Sequence, residues 1–335
     1  MGGSNSVASQ PRPQVPDVWS ADDIAPQGGK VVIITGANSG IGFQAALELA
    51  RKGARVVLAC RSEARGKQAE QKLLEAIASS AHGGSVEFMQ LDVSDLGSVG
   101  KFAEAFKASH DRLDLLINNA GVMAIPYATT VDGYERQFAT NHLGHFALTA
   151  QLFPLLKASA PSRVVNTSSI AHKDTTLARF VSGDGIMRTD EKGYGALRVY
   201  SESKLCNLLF TFELARRLQA HDVTGVTSVV CHPGVTATNL MDAPSTEGGW
   251  FSKLMWRLGV LLPLRQDIPT GTLPTLYAAT GADVESGDFY GASKLLEFRG
   301  PPKRVKAIAN AHDKTAARNL WEESERLAKT TFDVQ

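Results

Sequence analysis

Tyr200 and Lys204 are the two side chains of this 335-residue chain whose types and spacing best suit chemistry. Because they are four residues apart in a predicted helix, Tyr200–Gln219, they project from one face. A free tyrosine has a pKa of about 10, which is too high for efficient proton transfer near neutral pH. A nearby ammonium group favours the phenolate and lowers that pKa. The pair therefore predicts an acid–base group, and the alternative is chance, since the pattern is short.

Ser169 and Asn141 are predicted to lie near this pair. Ser169 ends a predicted strand, Arg163–Ser169, and the carboxyl end of a strand is where open α/β sheets bind ligands. Its hydroxyl suits a substrate carbonyl or alcohol oxygen, although a serine at a strand end is also typical of a cap or turn. Asn141, in the helix after the preceding strand, is expected to anchor a water that links Lys204 to solvent.

The stretch Lys30–Gly42 (KVVIITGANSGIG) predicts a phosphate-binding element. Its apolar run, Val31–Thr35, suits a buried parallel strand, and a glycine-rich turn and an amphipathic helix follow. Glycines let the backbone approach a pyrophosphate, and the free N–H groups of a helix start attract its charge. The spacing differs from the common dinucleotide fingerprint, so a tight turn without a ligand is the alternative. The predicted contacts are Gly36, Asn38, Ser39, Gly40, Ile41 and Gly42.

The residue after the second predicted strand, Arg55–Cys60, indicates which dinucleotide would bind. In such folds an acidic residue there binds the 2′-hydroxyl of NAD, whereas an arginine accommodates the 2′-phosphate of NADP. Arg61 occupies this position and favours NADP(H), with an ordinary surface arginine as the alternative. Asp92 and Val93 close the third strand, where Asp92 is expected to bind the adenine amino group. The residues that close the fourth strand are small or carry amides, which suits contact with the ribose or with neighbouring backbone: Asn118, Asn119, Ala120 and Gly121.

Strands and helices alternate from Lys30 onward, which predicts one doubly wound α/β Rossmann domain over residues 30–330. Its parallel sheet has the expected order 3-2-1-4-5-6-7, with helices on both faces. The other predicted strands are Val86–Val93, Leu113–Gly121, Val226–His232 and Asp288–Tyr290. Residues 1–29, rich in Gly, Ser, Pro and Gln, are predicted to be a flexible extension. Residues 239–270 are predicted to form a substrate lid with an apolar face, for which core packing and membrane contact are the alternatives.

Composition excludes several classes of protein. The chain has 35 Lys and Arg against 34 Asp and Glu, a net charge of +1, so it offers no sign of nucleic-acid binding. Its three cysteines and its histidines lack the spacing of disulfide frameworks or metal sites, so no metal is predicted. Without a long apolar run or signal peptide, we expect a soluble, cytoplasmic protein. Residues 1–6 match a myristoylation motif, so weak peripheral membrane contact stays open, as does homo-oligomerisation.

Taken in order, these motifs resemble those of the short-chain dehydrogenase/reductase family. The resemblance spans roughly residues 30–330 and rests on TGANSGIG (35–42), NNAG (118–121), Asn141, Ser169, YSESK (200–204) and PGVTAT (233–238). Finer features resemble the retinol-dehydrogenase-like branch, which is related to protochlorophyllide reductase: ACR (59–61), NHLGHF (141–146), NTSSIAH (166–172), SKLCNLLFTFELARRL (203–218) and WEESERL (321–327).

The resemblance implies hydride transfer between nicotinamide C4 and the carbonyl carbon of an apolar aldehyde or ketone, or of a retinal-like substrate. It makes Tyr200 the general acid/base, with Lys204 binding the ribose and tuning Tyr200. Ser169 would orient the substrate and Asn141 would support the proton relay. It also places Pro233, Gly234, Val235 and Thr236 at the nicotinamide end.

The interval between Ser169 and Tyr200 is longer than in most family members. Residues 171–195 are therefore predicted to be an insertion beside the substrate site. Protochlorophyllide reductases lengthen the same interval, so a light-dependent reductase is one alternative function. A cofactor-binding scaffold without turnover is the other, and the intact set of Asn141, Ser169, Tyr200 and Lys204 argues against it.

Overall fold

A computed structural model describes residues 14–176, 191–236 and 265–335. The strands are β1 (Val31–Thr35), β2 (Arg55–Cys60), β3 (Ser85–Gln90), β4 (Leu115–Asn118), β5 (Ser162–Thr167), β6 (Val226–Cys231), β7 (Phe289–Lys294) and β8 (Arg299–Arg304). They form one sheet with the order β3-β2-β1-β4-β5-β6-β7-β8. Neighbouring strands from β1 to β7 pair in parallel, and β8 pairs antiparallel with β7. The predicted fold class and strand order are confirmed, with β8 as an addition.

Helices cover both faces of this sheet. They are α1 (Gly40–Arg51), α2 (Glu63–Ile77), α3 (Leu96–Ser109), α4 (Gly144–Ala158), α5 (Ala196–Ala220), α6 (Ile268–Thr280) and α7 (Lys314–Ala328). Alternate residues of β1 point to opposite faces, as the period of a strand requires. Val32 and Ile34 pack with α1, α2 and α6, whereas Ile33 packs with α3, α4, α5 and α7. The inner strands β1, β2, β4, β5 and β6 are buried on both faces over nearly all of their length, which explains their largely apolar sequences.

The strand β8 was not predicted, because its sequence RGPPKR reads as a loop. Pro301 and Pro302 lack the N–H group that a central strand needs, but an edge strand tolerates this loss. Among the strands that the structure describes, β8 lies at the edge of the sheet and pairs only with β7. The two strands form a hairpin whose turn is Leu295–Phe298, and this turn reaches the carboxyl end of the sheet.

Residues 14–29, which the sequence predicts as part of a flexible extension, pack against the domain in the structure. Val15, Trp19 and Ile24 are buried and join the apolar core beneath α1 and α6. The ring of Trp19 meets that of Tyr277 edge to face, with 5.0 Å between the ring centroids. Burial of these apolar side chains offsets the cost of ordering a Pro- and Gln-rich segment. The first 13 residues, including the myristoylation-like motif, lie outside the described residues.

Two other predicted segments are described only in part. The insertion is described at its ends, where Ile170–Asp174 forms a short 3-10 turn, and residues 177–190 lie outside the described residues. Residues 237–264, which include most of the predicted lid, also lie outside the described residues. The lid's last residues are the start of α6, whose N-cap Asp267 accepts a hydrogen bond from the N–H of Thr270.

Candidate active site

A cleft of about 830 Å³ opens at the carboxyl ends of the parallel strands. It lies where the strand order reverses between β1 and β4, the place where doubly wound sheets bind ligands. Most predicted site residues line it, namely Gly36, Asn38, Ser39, Gly40, Ile41, Arg61, Asp92, Val93, Asn119, Ala120, Gly121, Ser169, Tyr200, Lys204, Pro233, Gly234, Val235 and Thr236. Three predicted site residues do not line the cleft, namely Gly42, Asn118 and Asn141. The site is therefore one continuous surface built from the ends of six strands, β1 to β6.

The glycine turn after β1 keeps the backbone close to neighbouring loops. Gly36 has φ +67°, which favours glycine, and a Cβ atom there would stand 3.0 Å from the Cα of Ala120. A Cβ on Gly42 would stand 2.6 Å from Nδ2 of Asn119, so Gly42 serves packing rather than direct contact with the cleft. Ser39 is the N-cap of α1, and its side chain makes no capping hydrogen bond. Because Ser39 and Gly40 line the cleft, the start of α1 fits a pyrophosphate.

Thr35 joins the glycine turn to the loop after β4. Its Oγ1 accepts hydrogen bonds from the N–H groups of Asn119 and Ala120, both at 2.9 Å. The side-chain amide of Asn119 donates to the carbonyl of Thr35 at 2.8 Å, so this amide binds backbone, one of the two roles predicted for it. Asn118 points the other way and donates to Asn166 Oδ1 at 2.8 Å inside the protein. The structure thus replaces the predicted cofactor contact of the Asn118 side chain with a bond between β4 and β5.

Asn141 lies in a π-helical turn, Ala139–Leu143, just before α4. Such turns are frequent at functional sites. Its Oδ1 accepts from the N–H of Val122 at 2.8 Å, and its Nδ2 donates to the carbonyl of Val122 at 2.9 Å and to Ser203 Oγ at 2.9 Å. A Cβ on Gly121 would stand 3.1 Å from Asn141 Oδ1 and 3.4 Å from Lys204 Nζ. Asn141 therefore fixes the loop after β4 against α5 beside Lys204, and its predicted water stays a prediction.

The helix α5 starts four residues before its predicted first residue, so Tyr200 lies one turn inside it. Lys204 Nζ is 5.7 Å from the centroid of the Tyr200 ring and donates to the carbonyl of Thr167 at 3.1 Å. Both side chains are at most 5% exposed. Burial lowers the pKa of Lys204 to about 8, because a charged ammonium loses solvation inside the protein.

The pKa of Tyr200 moves in the direction opposite to the one predicted. Burial raises it, because the phenolate loses more solvation than the phenol, and a hydrogen bond with the Ser169 side chain opposes this rise. Tyr200 is therefore a protonated phenol at neutral pH in the protein chain alone. This state suits a proton donor.

The two serines after β5 have different roles. Ser168 donates from Oγ to the carbonyl of Lys204 at 2.8 Å and so ties the strand end to α5. Ser169 caps the following 3-10 turn by accepting from the N–H of Ala171 at 3.2 Å, and its side chain also meets Tyr200. The sequence left a capping role and a substrate contact as alternatives for Ser169. In the structure Ser169 caps the turn and also lines the cleft, so the two roles are compatible.

The far end of the cleft carries positive charge. Arg61 is about two-thirds exposed, and its Nε lies 3.9 Å from Asp92 Oδ2. The other carboxylate oxygen of Asp92 accepts from the N–H and hydroxyl of Ser94 at 3.0 Å and 2.7 Å. Arg65, in the first turn of α2, also lines the cleft. Sequence reasoning missed Arg65, although a second arginine in the first turn of the predicted helix after Arg61 was a usable signal.

Several other residues that line the cleft are not among the site residues that the sequence predicts. Leu296 and Phe298 come from the unpredicted β7–β8 hairpin, and Met123 and Ile170 from the loops after β4 and β5. Together with Leu197 at the start of α5, they make the wall near Ser169 and Tyr200 mostly apolar. In the part of the chain that the structure describes, no three His, Cys, Asp or Glu side chains group as metal ligands.

Three buried histidines give the fold an expected pH dependence. Burial lowers the pKa of His142 to about 3 and those of His145 and His172 to about 4. The Nδ1–H of His145 donates to the carbonyl of Asn141 at 3.2 Å, which leaves Nε2 as the acceptor for Thr35 Oγ1 at 2.8 Å. Protonation of Nε2 would place a third N–H donor against Thr35 Oγ1, which already accepts from Asn119 and Ala120. The native state therefore requires neutral rings.

We expect the free energy of unfolding to fall as the pH drops from about 6.5 to about 4, because only the unfolded state then binds these protons. Each such histidine adds about 1.4 kcal/mol per pH unit to the slope. In urea unfolding series, His145→Gln should show a shallower slope than the wild type. His82→Gln, at an exposed position, should keep the wild-type slope. Equal slopes for His145→Gln and the wild type would contradict the assignment.

Comparison with known proteins identifies the family. A family model described as short chain dehydrogenase matches residues 30–180. Retinol dehydrogenase 12 from Mus musculus is 42% identical over 295 residues, which are 88% of this chain and 84% of that protein. The chain belongs to the short-chain dehydrogenase/reductase family. Retinol dehydrogenase 13 from Homo sapiens is 41% identical over 307 residues, 89% of this chain and 84% of that protein.

A solved structure supports the same placement in the short-chain dehydrogenase/reductase family. An uncharacterised protein from Mycobacterium paratuberculosis is 36% identical, with a TM-score of 0.71, over 94% of this chain and 99% of its own. The predicted resemblance to the family and to its retinol-dehydrogenase-like branch is confirmed. The chain is accordingly an oxidoreductase that transfers hydride with a nicotinamide cofactor and acts on small molecules. No helix within the described ranges is long and apolar enough to cross a membrane.

Proposed function

We propose that this protein is an NADP(H)-dependent oxidoreductase that interconverts an apolar carbonyl compound and its alcohol, with Tyr200 as the general acid/base. The observation that carries the proposal is the placement of Ser169, buried Tyr200 and buried Lys204 in the lining of one cleft. The same cleft contains the glycine turn and the start of α1, which suit a dinucleotide pyrophosphate. A cleft with only one of these features would not favour this chemistry.

In the direction of reduction, Ser169 and Tyr200 hold the substrate oxygen by their hydroxyl groups. Tyr200 then gives its proton to that oxygen, and burial keeps this proton in place until the substrate arrives. Lys204 places a cation 5.7 Å from the phenol ring, so that the phenolate left behind is stabilised. Asn141 holds the loop that borders Lys204. The nicotinamide supplies or accepts the hydride.

The preference for NADP(H) is proposed from the two arginines at the adenosine end. Arg61 and Arg65 line the cleft after β2, and Arg61 stands where NAD-binding proteins have an acidic residue. Guanidinium groups bind phosphate through charge-assisted hydrogen bonds. The Asp92 carboxylate, 3.9 Å from Arg61, holds the arginine in place only weakly, since such exposed pairs contribute little.

Arg61→Ala should weaken NADPH binding about 10- to 100-fold, the loss expected for one charge-assisted phosphate contact. NADH binding should change little, because NADH lacks the 2′-phosphate. Fluorescence titration of both cofactors measures this difference. Arg51→Ala is the matched control, since Arg51 lies at the other end of α1 from the cleft. An equal loss for both cofactors would contradict the role of Arg61.

An apolar substrate is proposed because the wall near Tyr200 carries Met123, Ile170, Leu197, Leu296 and Phe298. We also propose the cytoplasm as the location, since all three cysteines are buried free thiols, as is usual in a reducing compartment. The proposal also includes reversible membrane attachment through a myristoylated Gly2, and self-association of the protein. Each of these needs a separate test.

The experiment that tests the proposed function is NADPH consumption in the dark against a panel of apolar aldehydes and ketones that includes retinal. Turnover of at least one compound is the expected result. If NADPH binds but no compound reacts, the enzyme is not a dark carbonyl reductase. NADPH consumption under illumination, with a tetrapyrrole pigment as the substrate, would then detect a light-dependent reductase.

A further inference from the structure

The turn of the β7–β8 hairpin combines two unfavourable features. Leu295, Leu296 and Glu297 have φ values of +50°, +55° and +70°, a left-handed conformation that L-residues with side chains disfavour. Leu296 is also 84% exposed and Leu295 55% exposed. A strained, water-exposed apolar turn persists only where its surroundings hold it, and such strain concentrates at ligand sites.

Glu297 attaches this turn to the catalytic wall. Its carboxylate lies 3.0 Å from Lys173 Nζ and 3.1 Å from His232 Nε2. Lys173 belongs to the 3-10 turn that Ser169 caps. His232 accepts from the N–H of Gly234 through its other ring nitrogen at 3.1 Å. One carboxylate therefore links the hairpin to the residues that follow β5 and β6.

Backbone hydrogen bonds attach the hairpin a second time. The carbonyl of Phe298 accepts from the N–H of Val235 at 2.8 Å. Gln266 donates from Nε2 to the carbonyl of Pro233 at 2.7 Å and accepts at Oε1 from the N–H of Gly300 at 3.0 Å. These contacts hold the hairpin at the Pro233–Thr236 end of the cleft, away from Arg61. Its position is thus set by residues that follow β5 and β6, three of which, Lys173, Pro233 and Val235, line the same cleft as Ser169 and Tyr200.

We propose that Leu296 is a specificity-determining residue whose side chain contacts the apolar part of the substrate, and that Glu297 is the positioning residue that holds it there. Leu296 lines the cleft together with Tyr200 and Ser169, whereas its neighbour Leu295 is not among the lining residues. Leu197, another exposed leucine, lines the same cleft from the start of α5. An apolar chain bound here removes exposed leucine surface from water. The inference rests on the proposed function and assigns its substrate class: carbonyl compounds with an extended apolar chain.

The test is kcat/KM for straight-chain aldehydes from propanal to octanal, with NADPH. For the wild type we expect kcat/KM to rise with chain length. Leu296→Asn should raise KM for octanal about fivefold or more and leave kcat, the propanal kinetics and the NADPH dissociation constant unchanged. Asparagine tolerates the left-handed conformation, so this variant should fold. Leu295→Asn, the matched control on the same turn, should behave as the wild type.

The variant Glu297→Gln distinguishes a positioning role of Glu297 from a general loss of enzyme activity. It should raise KM for octanal as Leu296→Asn does, without a loss of kcat. A lower kcat for propanal would overturn the positioning role, because the substitution would then act through Ser169. If Leu296→Asn and Leu295→Asn give the same chain-length profile, the inference is overturned while the proposed function stands. If the wild type reduces no aldehyde or ketone at all, both fall.

Discussion

Tyr200→Phe is expected to lower kcat/KM by about 10²- to 10⁴-fold, the range for loss of a positioned general acid. The substitution removes a hydroxyl that interacts with the Ser169 side chain, on a ring whose centroid is 5.7 Å from Lys204 Nζ. It keeps the ring, which is buried at the start of α5, so the packing changes little. NADPH affinity should stay within about twofold of the wild type, because a loss confined to the transition state leaves ground-state binding intact.

Steady-state kinetics and NADPH fluorescence titration together measure both parts of this expectation. Tyr134→Phe is the control, since it also removes a hydrogen-bonding phenol, here one that donates to the carbonyl of Leu327 away from the cleft. It should cost about 1 kcal/mol of stability and no activity. A near-wild-type rate for Tyr200→Phe would remove Tyr200 from the mechanism, whatever the control shows.

Gly144→Ala is expected to destabilise the fold by about 3 kcal/mol, at the upper end of what overpacking costs. A Cβ at Gly144 would stand 1.8 Å from the carbonyl oxygen of Val93 and 2.8 Å from its carbonyl carbon. Both are backbone atoms, so no side-chain rotation can relieve the overlap. The first residue of α4 would have to move, and with it the π-helical turn that carries Asn141. Activity should fall together with stability.

Urea unfolding measures the change at Gly144, and Gly100→Ala provides the comparison. Gly100 lies inside α3, and a Cβ there would meet its nearest atom, Gln151 Oε1, at 3.9 Å. With open space available, alanine should stabilise the protein by about 0.5–1 kcal/mol through its better helix propensity. Equal stability of the two variants would show that the close approach of α4 to Val93 has no energetic weight.

Much of the fold follows from local sequence patterns. The β-branched runs Val31–Thr35 and Arg55–Cys60 are strands with the predicted bounds, because residues buried on both faces leave a continuous apolar signal. The spacing of Tyr200 and Lys204 predicted that both project from one helix face, and both line the cleft, since helix periodicity is a local property. The direction of the Asn118 side chain could also have been predicted from the sequence. Alternation from Leu116 places its side chain on the α4 face, where it bonds Thr149 and Asn166.

What the sequence did not predict depends on contacts between distant residues. Trp19 is ordered by Tyr277, more than 250 residues later, and no local pattern announces that pairing. Leu296 reaches the cleft only because β8 returns along β7 and Glu297 meets Lys173 and His232. The raised pKa of Tyr200 is likewise a result of tertiary burial, whereas spacing alone indicated only the attraction of Lys204.

The prolines of β8 also bear on how copies of this protein meet. An exposed sheet edge can recruit a strand from a second molecule and so start aggregation. At this edge, Pro301 and Pro302 supply no N–H donors, and exposed Lys303 adds a charge that repels a like copy. Continuation of the sheet into a neighbouring subunit is therefore disfavoured on the β8 side. Within the part of the chain that the structure describes, the helical surfaces and the opposite edge at β3 lack this obstacle.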